Sequence, residues 1–351
     1  MKETKIKVGI THGDVNGVGY EVIMKALNDN RIYDLCTPII YGSPKVAAYH
    51  RKALNIDNFS LNNINKASDA NIKRANIINC VDENIKVELG KATKSAGDAA
   101  FQALERAVSD LKNNEIDVLI TAPINKNTIQ NKDFDFPGHT EYLENRLESG
   151  KSLMLLVSEK LRVGVVAGHV PVSKISEYIT PDRILSKLEI LNNSLIQDFG
   201  IRRPRIAVLS LNPHAGDNGL IGNEEQKVII PTLEEAREKG IMALGPYPAD
   251  GFFGSNDYTK FDAILAMYHD QGLAPFKALA FDSGVNFTAG LAGIRTSPAH
   301  GTAYAIAGTN EASPESFRNA LYLALDVFKN RKIYKEISVN PLKSVDISKN
   351  A

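Results

Sequence analysis

The 351-residue chain is 43% apolar and 23% charged, the range of an ordinary globular protein with room for two domains or one large α/β unit. Lys plus Arg balances Asp plus Glu at 41 each, so no net field directs it to nucleic acid or an anionic membrane. No window approaches about 18 uninterrupted apolar residues, and the start, MKETKIKVGITHG, lacks the apolar core of a signal peptide.

From the N-terminus, apolar β-branched runs predict strands at Ile6–Ile10, Pro38–Tyr41, Val118–Thr121, Leu153–Val157, Val163–Ala167, Ile206–Leu211 and Ala263–Met267. An Asn-rich stretch between Asn55 and Asn71 reads as surface loop. Helical spacing covers Asp98–Leu111, Pro181–Gln197 and Glu224–Lys239. This alternation predicts an α/β fold with a largely parallel sheet and helices on both faces. No Pro/Gly/Ser-rich linker interrupts the chain, so a second domain has to form by the chain crossing over and returning. Cys36 and Cys80, both in apolar surroundings, read as buried free thiols of a reducing compartment, and a cytoplasmic location is expected.

Polar, glycine-rich clusters follow five of these strands: THGDVNG, TAPINK, AGHVPVS, LNPHAGD and MYHDQG. Ligands of open parallel sheets bind outside the carboxyl ends of the strands, so one shared site is expected. THGDVNGVGYEV follows a strand and opens a helix, but Gly13, Gly17 and Gly19 lack the GxGxxG spacing, which disfavours a Rossmann domain. Asp14 reads equally as a ligand-facing acid or a turn residue.

Of the seven histidines, only His50, on a helical pattern, reads as an ordinary surface residue. His12, His139, His169, His214, His269 and His300 each lie in or beside a Gly- or Pro-containing turn. Taken singly, each fits a capping or hydrogen-bonding role; together their placement favours a site. His169, His214 and His269 directly follow strands, and three neutral imidazoles with an open fourth position suit a catalytic divalent ion. Lys277, Asn286 and Arg295, nine residues apart, suit phosphate or carboxylate. The same spacing fits a surface Lys and Arg about a strand-end Asn. His139 and Thr140 begin a helical pattern, whose N-terminal amides also bind anions.

GDVNGVGYEV, TAPINK, PGHTEYL, AGHVPVS, LNPHAGDNGLIGNEE, PYPADGFF, MYHDQGLAPFK, GVNFTAGL and IRTSPAHGTAYAIAG occur in an order that resembles the 4-hydroxythreonine-4-phosphate dehydrogenases of vitamin B6 synthesis, over about residues 6 to 330. The resemblance implies two α/β domains with a cleft between them, similar to isocitrate and isopropylmalate dehydrogenases. The expected division is 1–130 plus 301–351 and 131–300. It further implies a homodimer with the active site at the subunit interface, NAD bound without a Rossmann fingerprint by residues left unassigned, and one divalent ion (Zn, Mg or Co). By the same resemblance His169, His214 and His269 match metal ligands, with His269 supplied by the partner subunit. His139, Thr140, Lys277, Asn286 and Arg295 match substrate-binding positions. Asp250 and Asp270 are the candidates for supporting a ligand histidine or moving a proton.

The implied reaction oxidises 4-phosphooxy-L-threonine to 2-amino-3-oxo-4-(phosphooxy)butanoate, which decarboxylates to 3-amino-2-oxopropyl phosphate on the way to pyridoxal 5'-phosphate. A sister dehydrogenase for 4-phospho-D-threonate or 4-phospho-D-erythronate would use the same ligands, and a non-redox acyl transferase of similar architecture is the alternative of another class. The chain departs from the family pattern at Val15, Asn16 and Tyr20, where Pro, Ala and Pro are usual, at Ala299 for Asp, at Leu220 and Ile221 in a stretch that often carries His, and at Gly251 for Thr. No metal or phosphate ligand is lost by these changes.

Overall fold

The structure, a computed structural model, describes residues 5–340. Its strands are β1 (Ile6–Thr11), β2 (Cys36–Gly42), β3 (Asn62–Ile64), β4 (Asn76–Asn79), β5 (Val118–Thr121), β6 (Leu153–Val157), β7 (Arg162–Ala167), β8 (Arg205–Leu209), β9 (Met242–Tyr247), β10 (Ala263–Tyr268), β11 (Val285–Ala289) and β12 (Arg295–Pro298). They form one twelve-stranded sheet in the order β3-β4-β2-β1-β5-β12-β11-β6-β7-β10-β8-β9.

The sheet is parallel from β3 to β12 and again from β7 to β9. Between these halves β11 runs antiparallel to β12 and to β6, and β6 antiparallel to β7. The largely parallel expectation therefore holds within each half and fails in the middle. The cause is local. β6 and β7 are joined by a tight hairpin in which Ser158 N donates to Leu161 O at 2.9 Å, and so short a link permits only antiparallel pairing.

Alternation along the strands places apolar side chains on both faces. Val8, Ile10, Ile40, Val118 and Ile120 enter one core, and Ile39, Tyr41 and Leu119 enter another. The helix Glu315–Ser338 covers the first with Phe317, Ala320, Leu321, Ala324 and Leu325. The helix Lys94–Lys112 covers the second with Ala99, Ala100, Ala103, Leu104 and Ala107, whose small side chains let it approach the strands closely. It begins one turn before the expected Asp98 because Thr93 caps it, its hydroxyl accepting from Ala96 N at 3.3 Å. The Pro181–Gln197 helix stands at its expected bounds, whereas Glu224–Lys239 divides into a π-turn, Glu225–Ile229, and a helix, Ile230–Glu238.

Four sequence readings change. The Asn-rich loop contains β3 and a 3-10 turn at Ala67–Asp69, held to β4 by the fully buried Asn76 side chain, which accepts from Asn62 Nδ2 at 2.9 Å. His50 is buried rather than exposed: its Nε2 bonds Val15 O at 2.8 Å and its ring stacks on Tyr20. His12 also stacks on Tyr20 and has no exposed surface, so it belongs to packing and not to a ligand site. Asp14 is a turn residue, its carboxylate accepting from Asn16 N at 2.9 Å and from the Tyr304 hydroxyl at 2.6 Å. Cys36 and Cys80 are free, and burial pushes both thiols up to about 12. Among the described residues no helix is long and apolar enough to cross a membrane.

Candidate functional site

The first residue of β12, Arg295, is fixed by the strands on either side of it. Its Nε and Nη2 donate to Thr121 Oγ1 of β5 at 3.0 and 2.7 Å, and its Nη1 donates to Thr288 Oγ1 of β11 at 3.3 Å. Nη2 also donates to His139 Nδ1 at 3.1 Å. The residue is 2% exposed, and among the described residues no carboxylate lies within ion-pair distance of it. Burial pulls the guanidinium down to about 10, which still leaves it protonated at neutral pH. A buried cation without a counter-charge is costly, and a bound anion removes that cost.

Because His139 accepts at Nδ1, its proton sits on Nε2, which is buried and without a partner among the described residues. Burial, with Arg295 and Lys126 nearby, holds this imidazole well below its usual range, so it is neutral. Asn286 Oδ1 and His300 Nε2 are likewise buried and unpartnered. All of these groups line one cleft of about 260 Å³, together with Thr121, Lys126 and Thr140. Thr140 lies at the N-terminus of the helix His139–Arg146, beside the extended Gly138. Several donors thus converge on one cavity that carries the cationic groups Arg295 and Lys126 against the single acid Glu141. Such a place suits a phosphate or carboxylate.

Of the expected substrate residues, His139, Thr140, Asn286 and Arg295 come together. Lys277 does not, since it is exposed on the helix His269–Ala280 and lines none of this cleft. Lys126 was missed as a site residue. Its signal was the final lysine of TAPINK, five residues beyond the Thr121 that anchors Arg295.

The sheet order β7-β10-β8 sets the ends bearing His169, His269 and His214 on neighbouring strands. The His169 and His269 rings lie 5.8 Å apart, and His169 also lines the cleft. Partial burial and Lys126 hold His169 below its ordinary value, which keeps it neutral. His269 Nδ1 stands 2.7 Å from Asp270 Oδ1, so this carboxylate orients the ring and leaves Nε2 free. Imidazole donors, one steadied by a carboxylate, fit a divalent ion of the zinc type. Among the described residues no three such side chains gather into a metal cage within one chain. Asp250 is exposed on the helix Ala249–Gly254 and bonds none of these histidines.

His214 projects from an unusual turn. Five consecutive residues, His214 to Asn218, are left-handed, with φ between 43° and 77°. Each non-glycine residue in that region costs about 1–2 kcal/mol, and such strain persists where the surroundings enforce it.

A family model for the pyridoxal phosphate biosynthetic protein PdxA matches residues 34–324. The chain belongs to the PdxA family. Over 345 residues it is 60% identical to the 4-hydroxythreonine-4-phosphate dehydrogenase of Bacteroides thetaiotaomicron, covering 98% of this chain and 94% of that protein. The crystal structure of 4-hydroxythreonine-4-phosphate dehydrogenase from Klebsiella pneumoniae matches with a TM-score of 0.80 at 33% identity, covering 93% of this chain and 100% of that one. At the level of fold alone, isocitrate dehydrogenase from Methylococcus capsulatus matches with a TM-score of 0.50 at 11% identity, covering 95% and 88%. Three of the PdxA-like motifs, TAPINK, PGHTEYL and GVNFTAGL, supply Lys126, His139, Thr140 and Asn286 to the cleft.

Proposed function

We propose that the chain is an NAD-dependent, divalent-metal-dependent dehydrogenase that oxidises 4-phosphooxy-L-threonine at C3 in pyridoxal 5'-phosphate biosynthesis. The observation that carries this reading is the buried guanidinium of Arg295, paired with no carboxylate among the described residues and facing a cleft beside the orphaned His139 Nε2 and Asn286 Oδ1. Arg295 takes the substrate phosphate as a point of attachment remote from the reacting carbon, which orients that carbon. His139 Nε2–H donates to a phosphate oxygen, and the Asn286 amide, turned end for end, offers Nδ2–H to another. Thr140 adds its hydroxyl and the amides of its helix start.

His169, His214 and His269 hold the divalent ion in this reading, and Asp270 keeps His269 in its ligating orientation. When bound there, the ion supplies Lewis-acid stabilisation of the charge that develops on the C3 oxygen. When bound, NAD would supply the acceptor for the C3 hydride, and the residues of this chain that hold the phosphate would orient C3 for that transfer. The product, 2-amino-3-oxo-4-(phosphooxy)butanoate, is a β-keto acid and loses CO2 through an enolate to give 3-amino-2-oxopropyl phosphate.

The reading includes a cytoplasmic homodimer with His269 and Lys277 reaching the site of the partner subunit. Its support is exposed apolar surface: Val172, Leu220, Ile221, Leu279 and Phe281 are all exposed, Phe281 to 63%. A surface of that kind suits burial against a second copy. Light scattering on the purified protein tests the dimer, and a monomer at micromolar concentration would remove this part of the reading.

The deciding experiment follows NADH formation with 4-phosphooxy-L-threonine, 4-phospho-D-threonate and 4-phospho-D-erythronate side by side, with and without added divalent metal. The amino-acid phosphate is expected to give the highest kcat/KM, and chelator is expected to abolish it reversibly. A preference for either sugar-acid phosphate replaces the substrate, and full activity in metal-stripped protein overturns the metal role. His214→Ala is expected to abolish turnover with the fold intact.

A further inference from the structure

The left-handed turn that presents His214 needs something to hold it, and the structure shows what does. Glu225 opens the π-turn that follows and is fully buried. Its Oε1 accepts from Leu211 N and Asn212 N, both at 2.8 Å, and its Oε2 accepts from Asn212 Nδ2 at 3.0 Å. Among the described residues no cation pairs with this carboxylate, so these N–H groups are its compensation. The two amides belong to residues just past β8, where the chain leaves the ladder and would otherwise strand its donors.

The contact is close enough to constrain the turn itself. A Cβ on Gly216, at the middle of the left-handed run, would lie 2.6 Å from Glu225 Oε2. The glycine therefore meets two demands at once, a positive φ of 77° and room for the carboxylate. Asn212 is gripped a second time by Glu224, whose Oε2 accepts from Nδ2 at 2.8 Å.

We propose that Glu225 is the positioning residue of this site: it clamps the strand exit at Leu211 and Asn212 and thereby locks the left-handed turn that aims His214. Its functional consequence rests on His214 acting as a metal ligand, as proposed above; the clamp itself does not. Glu225 touches neither substrate nor cofactor and acts only through the turn. Glu225→Gln keeps one acceptor oxygen but sets an amide donor against Asn212 Nδ2. Glu225→Ala removes the clamp altogether.

The test uses full-length protein with three readouts: hydrogen exchange at the Leu211 and Asn212 amides, the His214 ring resonances in isotope-labelled apoprotein, and Co2+ affinity from its visible absorption. Exchange at the two amides is expected to rise at least about tenfold in both variants, with graded displacement of the His214 resonances. Co2+ affinity is expected to fall by roughly 10–100-fold, the usual effect of losing a residue that orients a ligand. Far-ultraviolet circular dichroism should stay unchanged for Glu225→Gln, and Ala215→Gly in that background should recover part of the affinity by easing the left-handed backbone.

Unchanged exchange and unchanged His214 resonances in Glu225→Gln overturn the clamp. Altered exchange with Co2+ affinity unchanged, while His214→Ala abolishes binding, overturns its positioning role. If His214→Ala itself leaves Co2+ binding intact, the metal reading fails, and the amide and ring readouts then decide the clamp alone.

Discussion

Arg295 is a structural residue that, in the proposed reading, also holds the substrate phosphate. Its fork is divided between threonines on two flanking strands and His139, so its direction is set before any ligand arrives. Lysine keeps the charge but has no planar fork to hold these partners. Arg295→Lys should raise the substrate KM by about tenfold to a hundredfold, the equivalent of about 1.5–3 kcal/mol for a charge-assisted contact, with a smaller change in kcat. Steady-state kinetics in phosphate-free buffer checks this, and a KM within twofold of wild type would remove Arg295 from the phosphate site. Thr121→Val attacks the same group from behind. It strips the acceptor of two Arg295 N–H bonds in a buried place, which should lower stability by about 1–3 kcal/mol as read by urea unfolding. The sequence made Arg295, Asn286 and His139 legible because they sit in motifs of family-wide form. It misread His12 and His50, since a turn or helix position says nothing about the Tyr20 ring that each packs against from elsewhere in the chain.

At the scale of elements, the strands that were legible were the long apolar ones. β9 reads MALGPY and β12 reads RTSP, short runs broken by Gly or Pro, and neither has the β-branched continuity that signals a strand. They are strands because neighbours on the sheet pair with them, a tertiary cause that local pattern does not carry. The helix Lys94–Lys112 presents a related case. Gly97 within it would ordinarily favour replacement by alanine, by up to about 1 kcal/mol of helix propensity. Here an added Cβ would stand 2.0 Å from Thr128 O and 2.2 Å from Thr128 C, in the segment just after Lys126. Gly97→Ala should therefore destabilise by about 1–3 kcal/mol through overpacking. The displaced segment carries Lys126, so substrate KM should rise as well. A thermal midpoint equal to or above that of wild type would show that the 125–129 segment moves aside without cost.

The whole molecule carries a pH dependence that follows from the same misread histidines. His12 and His50 each stack on Tyr20 in the interior, and burial lowers each imidazole to about 4. In the unfolded chain both return to roughly 6.5. The unfolded state thus binds more protons than the folded one between these values, so stability rises with pH across that window. The contribution is fully present above about pH 6.5 and is lost as pH falls toward 4, on the order of 3 kcal/mol for each ring. Unfolding midpoints should accordingly be flat from pH 7 to 8 and fall steeply between pH 6.5 and 5, well above the range where ordinary carboxylates titrate. His12→Phe isolates the cause, because it keeps an aromatic ring on Tyr20 and removes one titrating group. Because the depressed His139 adds to the same window, the variant should lose about a third of the slope between pH 6.5 and 5 while unfolding near the wild-type midpoint at pH 8. Equal midpoints for wild type at pH 7 and pH 5 would mean that the folded state admits these protons, and that the stack is open to water.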